Sequence, residues 1–235
     1  MPEQGAHRHM DAVDTGEVQR VLQQWGQDHF RDFPWRHTCD PYQIMIAEFM
    51  LHRTRADQVV PVYREFTRQY PDVFSLARAD VSEVKKVTEH LGLHWRSAHF
   101  VEAARYVARE HGGLFPETEE GLREIPGVGE YVAGAILTVC YGKPYPVIDS
   151  NIARFINRLY GLHLIGEIRR KREIRTIAED LFSVEDPGMF LFVILDFSAA
   201  ICRAQNPLHR ECPLKEICGY YLEEVQGRDG NNPIS

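Results

Sequence analysis

Long apolar runs are missing from this chain. No stretch approaches the roughly 20 apolar residues that a membrane span requires. Met1 to Asp14 is polar, with no apolar core to act as a secretory signal. The expectation is a cytoplasmic protein without a membrane partner. Lysine is scarce as well: Lys85, Lys86, Lys143, Lys171 and Lys215 are the only ones among 27 cationic side chains, the rest being arginine. Arginine suits bidentate phosphate contacts, whereas chemistry that needs an amine nucleophile has few candidates here. Positive charge is not in excess either. The formal net charge of −7 argues against indiscriminate coating of nucleic acid but leaves a local basic face open. Alternating strand patterns and low-complexity linkers are absent. What remains, 44% hydrophobic and 26% charged over 235 residues, suffices for one large globular domain or two small ones.

The periodicity is helical. Val18, Val21, Leu22 and Trp25 recur at helical spacing between Glu17 and Phe30. Phe33-Pro34-Trp35-Arg36 breaks that helix, and Pro41 stands as a first-turn proline before an apolar segment from Tyr42 to Leu51. Further helices are expected over 56–70, 72–76, 81–91, 97–111, 118–123 (with Thr118 as cap), 131–141, 150–160, 170–182 and 188–202. The fold class is therefore all-α. Residues 1–16 are expected to be a mobile tail.

Four features carry chemistry. The first is Pro126-Gly127-Val128-Gly129 between a short helix and an apolar one. Its glycines let backbone approach a phosphate, toward which the opening amides of the second helix point. The same residues also suit a tight turn between helices. The second is Val147-Ile148-Asp149-Ser150-Asn151, with Asp149 placed as an N-cap. A carboxylate held by helix amides stays ionised, as a developing sugar cation requires, so capping and catalysis are compatible. The third is Glu48, the one charged residue from Pro41 to Leu51. A buried glutamate is paired, neutral or functional, and burial would raise its pKa toward proton-donor or water-positioning duty. A structural ion pair with an arginine is the plainer account. Two carboxylates in different environments divide acid and base roles in glycosidic hydrolysis.

The fourth feature is the series Cys202, His209, Cys212 and Cys218, with six, two and five residues between successive members. In a reducing compartment such a cluster suggests a metal more than disulfides. Three thiolates and an imidazole suit tetrahedral zinc or an iron–sulfur cluster. Cys39 and Cys140 read as small buried hydrophobes.

Together these motifs, from Glu17 to Tyr221, resemble the helix-hairpin-helix DNA glycosylases of the endonuclease III and MutY type. The resemblance implies a two-domain helical fold that binds double-stranded DNA with a mismatched or damaged base and flips the target base into a pocket. It assigns an iron–sulfur cluster domain to residues 17–37 and 148–235, and a six-helix barrel with the hairpin to 38–147. Asp149 falls on the family's essential aspartate. The family's Cys-x6-Cys-x2-Cys-x5-Cys loop binds a [4Fe–4S] cluster. Here His209 replaces the second cysteine, so the expectation is Cys3His ligation, with a raised potential as in Rieske centres.

Position 131 bears on reaction type. Bifunctional members place a lysine there to form a Schiff base with the sugar. This chain has Tyr131, and no lysine between Lys86 and Lys143. The expectation is a monofunctional enzyme with little or no lyase activity, Tyr131 lining the base pocket. His52-Arg53 before Thr54, Asp40-Pro41-Tyr42 and Asp196-Phe197-Ser198 look most like the mismatch-specific thymine-DNA glycosylases, which act on G·T and G·U pairs. Arg53 is then expected to contact the orphaned guanine, with His52 nearby; alternatively both lie on a solvated face. The chain ends too soon after Cys218 for the further domain usual in MutY-type enzymes. A MutY-like adenine glycosylase without that domain, or a non-catalytic damage-binding module, are the competing readings. Arg169-Arg170-Lys171-Arg172 reads as an exposed helix start that can also steer phosphate. A monomer, nucleoid-associated if prokaryotic, completes the expectation.

Overall fold

A computed structural model of the protein describes residues 13–92 and 97–226; most of the expected tail, residues 1–12, lies outside them. No strand occurs among the described residues. Eleven α-helices do: α1 (Thr15–His29), α2 (Pro41–Leu51), α3 (Ala56–Gln69), α4 (Val73–Ala77), α5 (Val81–Thr88), α6 (Ser97–Glu110), α7 (Glu119–Arg123), α8 (Glu130–Tyr141), α9 (Ser150–Leu159), α10 (Arg172–Leu181) and α11 (Pro187–Ala200). The first begins two residues before the expected Glu17. Asp14 accepts from the Gly16 amide and so supplies a cap earlier than the apolar pattern shows. Aspartate side chains likewise cap α2, α4, α5, α9 and α11, and Thr118 caps α7.

The chain divides into two compact units, Asp32–Lys143 and the combination of Met1–Arg31 with Pro144–Ser235. In the first, α2 is nearly sheathed: Ile44, Met45, Ile46, Ala47, Phe49 and Met50 are all buried, against α3 and α8. Phe49 and Phe66 both pack on Phe100. Residues 32–37, expected with the first helix, belong to this unit, because Trp35 is buried edge-on against Tyr63.

In the second unit α11 is the central helix, apolar nearly all round, with α1 and α9 packed on it. Trp25 and Phe155 both meet the Phe197 ring edge-on. The buried carboxylate of Asp196 is matched by Arg31, whose Nε and backbone N–H donate at 2.6 and 2.9 Å, which offsets the cost of burying its charge. α1 lies close against α11 at Gly26. A Cβ there would lie 2.5 Å from Val193 Cγ2 and 3.0 Å from Cγ1. Valine in a helix has essentially one χ1 rotamer, so it cannot step aside. Gly26→Ala should lower unfolding stability by about 1–2 kcal/mol, an overpacking cost that exceeds the gain in helix propensity. Denaturant titration checks this, and Val193→Ala in the same chain should recover most of the loss.

Candidate functional site

Asp149 opens α9. Its Oδ1 accepts from the Asn151 and Ile152 backbone amides at 2.8 and 2.7 Å, and its Oδ2 accepts from Asn151 Nδ2 at 2.6 Å. The carboxylate is half-buried and fixed from both oxygens. Asn151 Oδ1 in turn accepts from Arg154 Nη1 at 3.1 Å. Arg154 reaches the cysteine loop, its Nε and Nη2 donating to the Cys202 carbonyl at 3.1 and 3.0 Å. Partial burial of this guanidinium lowers its pKa. One turn on, Arg158 donates to the carbonyls of Arg203 and Ala204, lies 3.6 Å from Cys202 Sγ, and stacks over the Tyr220 ring. Asn151, Arg154 and Arg158 thus join the capping carboxylate to the loop along one face of α9. The sequence reading missed all three roles. The signal was their i, i+3, i+7 spacing, which sets side chains above one another on a helix.

Cys202, His209, Cys212 and Cys218 all line one cavity, together with Phe155 and Tyr220. His209 Nδ1 is buried and makes no hydrogen bond, while its ring tilts against Tyr221. Burial pushes the Cys212 thiol up to about 12 and raises that of Cys218, with the other cysteines' charge adding to both. Among the described residues, no group of three His, Cys, Asp or Glu side chains is set to hold a metal ion. The donor set still fits an iron–sulfur group: three cysteine sulfurs and an imidazole line one partly open, apolar space.

The other predicted residues belong to the Asp32–Lys143 unit. In the hairpin, Val128 donates to the Ile125 carbonyl at 3.0 Å, and both side chains are buried. Gly127 has φ +82°, which favours glycine, and a Cβ there would sit 3.2 Å from Phe49. Gly129 differs. Its φ of −92° suits any residue, an added Cβ would meet nothing within 4 Å, and no side chain caps α8 behind it. The fold itself does not explain this glycine. Tyr131 lies half-buried in the first turn of α8, which packs on α2, the helix that carries Glu48.

Two expectations are corrected. Glu48 is only partly buried, since the apolar character of α2 is not matched by full coverage at that position. Cys39 is exposed, because it precedes the Asp40 cap outside the helix, and Cys140, in the last turn of α8, is half-buried, enough to raise its thiol pKa. His52 and Arg53 are both exposed. Arg53 has φ +62°, a conformation costing a non-glycine residue on the order of 1 kcal/mol.

The cap at Asp149 separates charge from hydrogen bonding. Asparagine caps a helix about as well as aspartate, whereas alanine costs about 1 kcal/mol. Asp149→Asn should therefore unfold close to wild type and Asp149→Ala about 1 kcal/mol earlier, by denaturant titration.

Residues 46–183 match the model of the HhH-GPD superfamily of base excision DNA repair proteins. A thymine-DNA glycosylase of Aeropyrum pernix is 37% identical over 217 residues, covering 89% of this chain and 97% of that one. A thymine/uracil-DNA glycosylase of Methanothermobacter thermautotrophicus is 34% identical, covering 87% and 92%. Among solved structures, that of a thermostable thymine-DNA glycosylase superposes with a TM-score of 0.78 at 32% identity, over 89% of this chain and 100% of that one. Matched over more than half its length, and resembling relatives along nearly all of it, the chain belongs to the HhH-GPD superfamily of base excision DNA repair proteins.

Proposed function

We propose that this DNA glycosylase removes thymine or uracil mispaired with guanine in double-stranded DNA, by hydrolysis and without a covalent enzyme intermediate. The observation that carries the reading is the Asp149 carboxylate, held at both oxygens by three N–H donors. A fixed negative oxygen beside the deoxyribose of a flipped nucleotide stabilises the oxocarbenium-like state as the base departs. It also orients water for attack on the sugar carbon. Glu48 contacts the flipped base or that water, and Tyr131 lines the pocket. Tyr131 cannot form an imine, so strand cleavage by a lyase route is not expected.

Gly127 and Gly129, with the opening amides of α8, present backbone N–H groups to a phosphate, while Val128, its amide bonded to the Ile125 carbonyl and its side chain buried, braces the turn. The open space around Gly129 supports this, because a side chain there would block DNA and nothing else. Arg53, with His52 beside it, takes the place of the extruded base and contacts the orphaned guanine. Its unfavourable backbone conformation supports a functional role, since such strain persists where geometry serves a site. The preference for thymine and uracil rests on the relatives that carry those names.

Residues 32–143 are read as the family's six-helix barrel and the other unit as its cluster domain. Cys202, His209, Cys212 and Cys218 would hold a [4Fe–4S] cluster. When bound, it supplies iron–ligand bonds that cross-link the loop, with a redox potential that the histidine raises. The buried, unbonded His209 Nδ1 and the cavity common to all four side chains support this ligand set.

Duplexes containing G·T, G·U, or adenine opposite 8-oxoguanine, treated with enzyme and then alkali, should show release of thymine and uracil. Borohydride should trap no covalent complex. Asp149→Asn should slow release at least ~100-fold, the scale for loss of a transition-state electrostatic contact. Excision of adenine alone would transfer the assignment to an adenine glycosylase. Purified protein should contain about four irons per chain, and stoichiometric zinc without iron would exclude the cluster.

A further inference from the structure

We infer that Arg169 grips the DNA phosphate next to the extruded nucleotide, releasing Glu167 in order to do so. This rests on the reading of Asp149 as the residue that faces the sugar. After α9 the chain turns back, and the 3-10 turn Ile168–Arg170 packs against that helix. Asp149 opens that helix, and its charge also acts on the Arg169 guanidinium. A phosphate flanking the sugar that Asp149 faces is the anion assigned to this turn.

The form of the existing pair fits the exchange. Arg169 Nε and Nη2 donate to the two oxygens of Glu167 at 2.8 and 2.7 Å. This fork presents the guanidinium edge that also matches two phosphate oxygens. Both side chains are about half exposed, 47% and 52%, so the pair contributes little stability and is cheaply broken. In the free protein Glu167 neutralises the guanidinium. When a phosphate takes the fork, the Glu167 carboxylate returns to solvent.

The surroundings favour an anion. Arg170, Lys171 and Arg172 continue the strip, all exposed, with no ion pair among the described residues. Helix stability does not account for them. They flank the start of α10, which has no side-chain cap, and cations there oppose the helix dipole. In a chain of net charge −7, a four-cation strip offsets the repulsion that Asp149 and Glu167 exert on a phosphodiester.

The test uses a duplex with 2′-fluorothymidine opposite guanine, in which fluorine stabilises the glycosidic bond against release. Two further versions carry a neutral methylphosphonate on the 5′ or the 3′ side of that nucleotide. Binding of wild type, Arg169→Gln and Glu167→Gln is read by anisotropy across a salt series, with thermal unfolding confirming that each is folded. Arg169→Gln should weaken binding roughly tenfold and reduce the salt slope by about 1. On one methylphosphonate duplex, wild type should fall to the level of the variant. Glu167→Gln should tighten binding several-fold. Unchanged affinity and slope for Arg169→Gln, or an equal loss on all three duplexes, would overturn the inference. Base release by wild type separates the two readings. Release with unaffected Arg169→Gln binding defeats only the phosphate assignment, whereas no release from G·T or G·U defeats the glycosylase reading and leaves the binding result standing.

Discussion

The unit formed by the two ends of the chain turns on how α9 begins. Its first turn leaves backbone amides without helical partners, and the Asp149 carboxylate satisfies two of them. The same carboxylate accepts from the Asn151 side chain, and from there hydrogen bonds run through Arg154 to the loop at Cys202. One charged group therefore starts a helix and anchors a polar chain that ends among the candidate cluster ligands. Removing its charge and removing its hydrogen bonds are different perturbations, because the cap depends on acceptors and the proposed chemistry depends on charge.

Local rules made much of this fold legible. Pro41 behind Asp40, Thr118 three residues before the Gly121 amide it bonds, and the apolar repeat of α1 each produced the element expected of them. The helix expected to end at residue 141 does so, closed by Gly142 in the left-handed conformation. The errors lie where a tertiary neighbour decides. Glu48 looked buried from its apolar flanks, but flanking residues on a helix report on other faces. Residues 32–37 were grouped with the domain of α1, yet they fall in the other unit, where Trp35 packs against Tyr63, almost thirty residues on. Arginines 154 and 158 gave no local signal, because their acceptors are carbonyls of a loop more than forty residues away.

At the candidate site the sequence was most informative about residue type and least about company. The cavity that collects Cys202, His209, Cys212 and Cys218 agrees with their spacing. The spacing did not reveal that an aromatic ring and two guanidiniums would enclose the loop. The two hairpin glycines also look equivalent in the sequence. In the structure Gly127 is required by its backbone and by Phe49, while Gly129 faces open space, which gives them separate physical reasons.

The way the units divide the chain has a consequence for synthesis. Asp32–Lys143 is continuous, whereas its companion is assembled from Met1–Arg31 and everything after Pro144. Emerging from the ribosome, the middle segment has all its packing partners first. Val18 and Leu22, fully buried at the end, must wait for α10 and α11, more than 140 residues later. During translation α1 is thus an amphipathic helix with no surface to cover, and the nascent chain is most open to misassociation before α11 is made.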